Sequence, residues 1–301
     1  MGTELEPIDP SLRIGSARLA VADLSRSVDF YERVLGLALV SRDDDGARLG
    51  ADRDRPELVL AQLSHATPAS PRNTGLFHLA WLHPSRGELA ATVQRVAGAR
   101  WPIHGASDHG VSEALYLTDP DGLGVEIYAD RPRERWERPA GGHGVKMVTL
   151  PLDLEDLMAQ APADPAPAMA ADARLGHVHL KVSDVPRAAA FYHDAIGLQE
   201  QARLPSAAFL SAGRYHHHVG LNSWQSRGAS APSDSEPGLR LLEFELGASD
   251  ALAALERRLA GVLEGGPSAR RESEGLYVSD PDCHRLAFIT RSRRAERRSS
   301  A

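Results

Sequence analysis

Three side chains on strand-like segments have the types and spacing to hold a metal ion together. His78 lies within Leu76-Phe77-His78-Leu79-Ala80-Trp81, Glu126 within Gly124-Val125-Glu126-Ile127-Tyr128, and His177 opens an alternating run that continues through Val182. A carboxylate in an otherwise apolar strand needs a partner or a cation, because burying it alone is costly. Two imidazoles and one carboxylate form a facial triad that leaves roughly three positions open on an octahedral Fe(II), room for a chelating diol and O2. Zinc, nickel or manganese accept the same donors, so ligand type alone does not choose the metal. More histidines crowd these segments. His177 and His179 share a strand face, so one can be a ligand and the other its neighbour. His216, His217 and His218 run consecutively, and any of the three could face a site.

The elements that must position these residues are copies of one another. Residues 19–24 match 180–185, Phe30-Tyr31 matches Phe191-Tyr192, and Leu35-Gly36-Leu37 matches Ile196-Gly197-Leu198. Tyr116 matches Tyr277, and Asp119-Pro120-Asp121 matches Asp280-Pro281-Asp282. These pairs share an offset of 161, and Gly75-Leu76 matches Gly238-Leu239 at 163, so loop lengths barely differ. A constant offset over such a length marks a duplication. Each copy divides again. An alternating strand is followed by a helix that Asp184 caps, with Ala188, Phe191, Tyr192 and Ile196 at helical spacing and Gly197 stopping it. Short strands follow, broken by turns such as Asp119-Pro120-Asp121-Gly122. The pattern predicts an α+β fold of four βαβββ modules, at about 12–65, 74–130, 174–224 and 238–290. They form two tandem domains, 12–130 and 174–290, with each module's curved mixed sheet making half of a cleft.

The duplication supplies its own control. The counterpart of His78 is Leu241, that of Glu126 is Ala287, and that of His177 is Ser16. If modules two and three face each other, the three ligands fall together. The pseudo-symmetric site between modules one and four then has no ligand set.

Bulk properties narrow the class. The 301 residues suit about two domains. Hydrophobic residues at 42% and charged residues at 25% fit a globular protein with a real core. A net charge of −7 gives no basic field for nucleic acid. No apolar run approaches a membrane span, and acidic residues 1–10 do not read as a signal peptide, so the expected location is cytoplasmic. The single cysteine, Cys283, excludes an intrachain disulfide and a cysteine-based zinc site. Residues 131–173 read as a linker, with a short helix over 150–160 and a flexible Ala/Pro/Asp tract over 161–173. Residues 225–237 read as a polar loop, and 291–301 as a basic tail expected to be disordered.

With these residues in place, the chain resembles the vicinal oxygen chelate superfamily, which includes glyoxalase I, bleomycin-resistance proteins and extradiol dioxygenases. Residues 177–184 and Phe191-Tyr192 resemble its module signature. Residues 75–80, 107–117, 119–122 and 215–224 are most similar to two-domain catechol 2,3-dioxygenases. The likeness covers 12–130 and 174–290. It implies an Fe(II)-dependent extradiol dioxygenase with His78, Glu126 and His177 as iron ligands and O2 as co-substrate. It further implies that Tyr116, ten residues before Glu126, hydrogen-bonds a substrate oxygen, and that an acid–base histidine lies within 216–218. His218 is the member of that run that aligns with a glyoxalase metal ligand and is taken here as the acid–base group. His109 is a further candidate donor. The implied partner is a small aromatic diol, and a homodimer is compatible with the fused repeat. Two departures stand out: Arg18 replaces a histidine that the family pattern tends to keep, and His109 lies only seven residues before Tyr116. The same resemblance admits a glyoxalase-like lyase or isomerase on nickel or zinc, with His218 as a fourth ligand and Glu126 as base. It also admits a metal-free binding protein of the bleomycin-resistance kind.

Overall fold

The computed structural model describes residues 6–141, 143–262, 269–272 and 275–291. The basic tail beyond Arg291 lies outside them. Module one comprises β1 (Arg13–Val21), α1 (Leu24–Asp29), β2 (Ala38–Arg42), β3 (Gly46–Gly50) and β4 (Leu58–Gln62). Module two comprises β5 (Gly75–His83), α2 (Arg86–Gly98), β6 (Gly105–Asp108), β7 (Ser112–Thr118) and β8 (Gly124–Asp130). The linker contributes α3 (Leu154–Met158), capped by Asp153. Module three comprises β9 (Arg174–Lys181), α4 (Val185–Ala190), β10 (Gln199–Leu204), β11 (Ala207–Ser211) and β12 (Val219–Asn222). Module four comprises β13 (Gly238–Leu246), α5 (Ser249–Val262), β14 (Arg270–Glu272), β15 (Gly275–Ser279) and β16 (Arg285–Thr290). The four βαβββ modules are therefore present as expected. The Phe-Tyr blocks differ from a plain α-helix: 30–34 and 191–196 wind as π-turns that bury both tyrosines.

The modules pair across the two copies. One eight-stranded sheet runs β14-β15-β16-β13-β1-β4-β3-β2, and the other runs β10-β11-β12-β9-β5-β8-β7-β6. The joins are antiparallel, β1 with β13 and β5 with β9, whereas the first and last strands of each module are parallel. Modules two and three thus share one sheet, the pairing that brings the candidate ligands together. Strand alternation sorts that sheet's faces. Leu79, Trp81, Leu115, Val125, Ile127, Val178 and Leu180 belong to the main core. Ala80, Leu82, Ala114 and Tyr128, with Tyr116 against them, cluster on the opposite face. Helices α2 and α4 pack on this sheet, and α1 and α5 on the other. No helix among the described residues is long and apolar enough to cross a membrane.

The tract 161–173, expected to be flexible, is pinned instead. Met169 is 3% exposed and its N–H donates to the Gly36 carbonyl (2.7 Å). Arg95 donates to the carbonyls of Ala166 and Ala168, and Arg55 to those of Ala171 and Ala173. Only a few of its side chains are buried, so periodicity carries no signal. The other copy repeats the arrangement at the same offset: Ile8, 7% exposed, donates from its N–H to the Gly197 carbonyl (3.0 Å).

Candidate metal centre and its cavity

Three neighbouring strands place the candidate ligands. Ala80 on β5 pairs with His177 on β9 and with Glu126 on β8, and His78 lies two residues before Ala80 on the same face. The small Ala80 leaves its three polar neighbours room to converge. Gly124 permits the approach of β8, because a Cβ there would meet the Phe77 carbonyl oxygen at 2.0 Å. His78 Nε2 lies 2.9 Å from Glu126 Oε2, and His177 Nε2 lies 3.3 Å from the same oxygen. One ligand atom from each residue falls within 4.8 Å of the others, and all three residues are buried.

The electrostatics are those of a cation site. Burial raises the Glu126 carboxyl, but facing His177 and His78 outweighs it and holds the group well below the usual carboxylate range. Burial pushes His177 down to about 4 despite the pull of Glu126. At neutral pH the imidazole is an uncharged nitrogen donor, the form that binds metals. His78 Nε2 is buried and, among the described residues, has no hydrogen-bond partner despite its closeness to the carboxylate. An unpaired imidazole nitrogen 2.9 Å from a carboxylate oxygen that His177 Nε2 also approaches fits a divalent cation among the three.

Two of the three, His78 and Glu126, line a cavity of about 580 Å³ together with Tyr116, His179, Phe209 and His217, while His177 stands just behind its wall, its ring 4.1 Å from that of His217. His109, in the turn between β6 and β7, and Tyr116, on β7, meet there. His109 Nδ1 donates to the Val148 carbonyl (2.8 Å), which leaves Nε2 placed to accept from the Tyr116 hydroxyl (2.6 Å). Burial, then Glu126, pushes the Tyr116 phenol up, so it stays protonated. Both residues line the cavity.

The histidine run corrects one expectation. His218 does not line the cavity. Its Nδ1 accepts from the Ala212 N–H (3.2 Å) and its ring lies against Tyr215. His217 is the residue that faces the site, with its ring 4.1 Å from that of His177. The reason is local: the backbone bends at His216 and His218 before β12 begins at Val219, even though His218 already bonds Leu210 and Val178, so the facing of the run cannot be counted by alternation. Behind His217 stands a relay that spacing gave no hint of. His216 Nε2 donates to Asp130 Oδ1 (2.9 Å), which leaves His216 Nδ1 to accept from His217 Nδ1 (2.8 Å). His217 Nε2 then keeps its lone pair. His179 also lines the cavity with Nε2 unpartnered, its ring admitted by Gly220, where a Cβ would lie 2.9 Å from it.

The sequence profile of the glyoxalase/bleomycin resistance protein/dioxygenase superfamily matches residues 13–127 and again 174–288. The chain belongs to this superfamily. Both matched stretches end within one strand of a module boundary, as the duplication requires. A catechol-2,3-dioxygenase of Bacillus subtilis is 39% identical over 277 residues, covering 91% of this chain and 95% of that protein. A lactoylglutathione lyase of Neisseria meningitidis is 29% identical over 124 residues, covering 38% of this chain and 89% of that protein. Among solved structures, glyoxalase I from Zea mays superposes with a TM-score of 0.59 at 17% identity, covering 96% of each chain. That likeness concerns the fold. The superfamily's βαβββ modules account for both sheets, and the His78–Glu126–His177 group lies in the sheet that joins modules two and three.

Proposed function

We propose that the protein is an Fe(II)-dependent extradiol dioxygenase that cleaves the ring of a catechol-type diol with O2. The observation that carries this reading is the donor set. Two imidazoles and one carboxylate converge from three strands, and His78 and Glu126 of that set line a cavity large enough for an aromatic ring. The catechol-2,3-dioxygenase relative, matched over nearly its whole length, points the same way. A glyoxalase-like site with His218 as a fourth ligand is disfavoured, because that ring is committed outside the cavity.

His78, Glu126 and His177 would hold the metal, which when bound supplies Lewis acidity toward both diol oxygens and a redox centre for O2. The remaining chemistry falls to the chain. Tyr116 donates to His109, so its oxygen is free to accept a hydrogen bond from a diol hydroxyl. A proton leaving that hydroxyl can pass by way of Tyr116 to His109 Nε2, while Val148 keeps the His109 ring oriented. His217, its tautomer fixed through His216 and Asp130, presents Nε2 to the same cavity as acid–base group. The reaction adds both atoms of O2 to the diol and opens the ring beside it to a semialdehyde, so no external reductant is required.

The test is anaerobic reconstitution with Fe(II), then catechol, then air. Oxygen uptake with a yellow product is expected, and the His177→Ala and Glu126→Ala proteins should lose both. Oxygen-independent turnover of a hemithioacetal on nickel or zinc would replace this reading with a lyase. Undiminished ligand binding after chelation would replace it with a binding protein.

A further inference from the structure

We infer that the diol taken by this site carries an apolar substituent ending in an anionic group, and that Lys181 is the residue that reads that charge. This rests on the dioxygenase reading and names the substrate class within it. The first observation is size. A cavity of about 580 Å³ falls in the range that houses drug-sized ligands, roughly 300–1,000 Å³, far more than a bare catechol ring fills.

The second observation is the lie of the cavity. Strand β9 places His177, His179 and Lys181 on one face by alternation, and both His179 and Lys181 line the cavity. From ligand to lysine is four residues, or about 13 Å at roughly 3.3 Å per residue. A diol held at the triad must therefore extend to meet the ammonium. The space between is aromatic. Phe77 lies 5.2 Å from Trp224 and 5.2 Å from His179, ring centre to ring centre, and Phe209 lies 5.7 Å from His179. Leu204 and Trp224 line the cavity yet remain 49% and 51% exposed, an apolar rim that a ligand would cover.

The third observation is the state of Lys181. It sits at the strand ends, paired with Gly75 and Asn222. Among the described residues its ammonium donates once, to the Pro71 carbonyl (3.1 Å), and an ammonium has three donors. The acid in its vicinity, Glu236, is committed to the Ser70 and Ser233 N–H groups and the Asn73 amide. A cation with donors to spare, at the far end of an apolar cavity, suits a carboxylate on the substrate's tail. The alternative is that Lys181 only fastens the Pro71 loop.

The experiment compares 3-(3,4-dihydroxyphenyl)propionate, its primary amide and catechol on the Fe(II)-loaded full chain. The wild-type protein should favour the acid over the amide by about tenfold or more in KM. Lys181→Met should raise KM for the acid about tenfold, leave the amide and catechol unchanged, and keep the iron content; Lys181→Arg should retain the preference. Equal loss on all three compounds, or no preference for the acid in the wild-type protein, would overturn the inference. Calorimetric binding of acid and amide under argon reads the charge without turnover. Acid-selective binding that Lys181→Met abolishes, without O2 uptake on any diol, would keep the anion site and overturn the dioxygenase reading. Catechol cleavage with equal binding of acid and amide would do the reverse.

Discussion

Three consecutive histidines meet three different surroundings, and that difference decides what each can do. His216 is closed between Asp130 and His217, His217 faces the cavity, and His218 is held by the Ala212 N–H behind the strand. His217→Gln should lower kcat by about 10²–10⁴-fold, the usual worth of a positioned acid–base group, without loss of bound iron. His218→Gln should leave turnover intact and cost about 1 kcal/mol of stability, the net worth of a hydrogen bond. Steady-state O2 uptake with metal analysis checks both, and equal loss of activity in the two variants would remove His217 from the reaction. The triad was legible in the sequence because His78, Glu126 and His177 lie on regular strands, opposite core residues such as Leu79, Val125 and Val178. His217 was not legible, because the backbone bends at His216 and His218 and breaks the strand parity there. The His109–Tyr116 contact joins a turn residue to a strand residue that pairs with Gly105, so it depends on how the side chain of His109 folds back along the hairpin, and a spacing of seven does not reveal that.

At the scale of elements, the duplicated Asp-Pro-Asp turn clamps the modules within each copy. Tyr31 of module one donates to Asp119 of module two, and Tyr192 of module three donates to Asp280 of module four, each at 3.1 Å. Asp121 accepts from the Ala22 N–H and from Arg26, as Asp282 does from Ser183 and Arg187. The first clamp stands at the start of β8 and so helps to seat Glu126. The sequence revealed the repeated turn but not its partners, which lie some ninety residues away across a module boundary. One residue separates the two clamps electrostatically. Leu123 stands in the first where His284 stands in the second. Burial raises Asp119 to about 7, helped by Asp121. Burial also works against the Asp280 carboxylate, but His284, bonded to it at 2.8 Å, outweighs this and lowers it. The signs are opposite. Asp119 favours its neutral form, so its contribution is full below 3.8 and lost as pH rises through about 7. Asp280 contributes above 3.8, and this is lost as pH falls through its lowered value. At pH 8, Asp119→Asn should therefore change stability little or raise it. Asp280→Asn should cost about 3–5 kcal/mol, as breaking a buried pair does. Urea melts of the two variants supply the comparison, and equal losses would show that the two turns are electrostatically alike.

At the scale of the whole molecule, each sheet takes one module from each copy, so the two sequence domains cannot separate without tearing both sheets. The complementary gaps at Ser16, Leu241 and Ala287 made the pairing of modules two and three readable. The straps at Ile8 and Met169 escaped, since so few buried residues leave no period. This interleaving buries histidines deep in one sheet, and they must stay neutral there. Burial lowers His83 to about 3, His177 to about 4 and His218 to about 3, and lowers His179 and His217 as well. A depressed histidine contributes stability above its unfolded value of 6.5. Below that, the unfolded chain takes up protons that the native state refuses, until the folded values are reached. Each such group loses about 1.4 kcal/mol per pH unit in that window. For His83, His177 and His218 alone, a fall from pH 7.5 to 5.5 should therefore cost on the order of 4 kcal/mol. Urea melts of chelated protein at the two values check this, and a flat response would mean that these rings are charged or hydrated in the native state. His83 isolates the effect from the metal site, because both its ring nitrogens are buried and without a partner among the described residues and it lies outside the triad. His83→Leu should leave stability at pH 7.5 nearly unchanged or higher and shrink the acid-induced loss by about a third, since one of the three titrating rings has been removed.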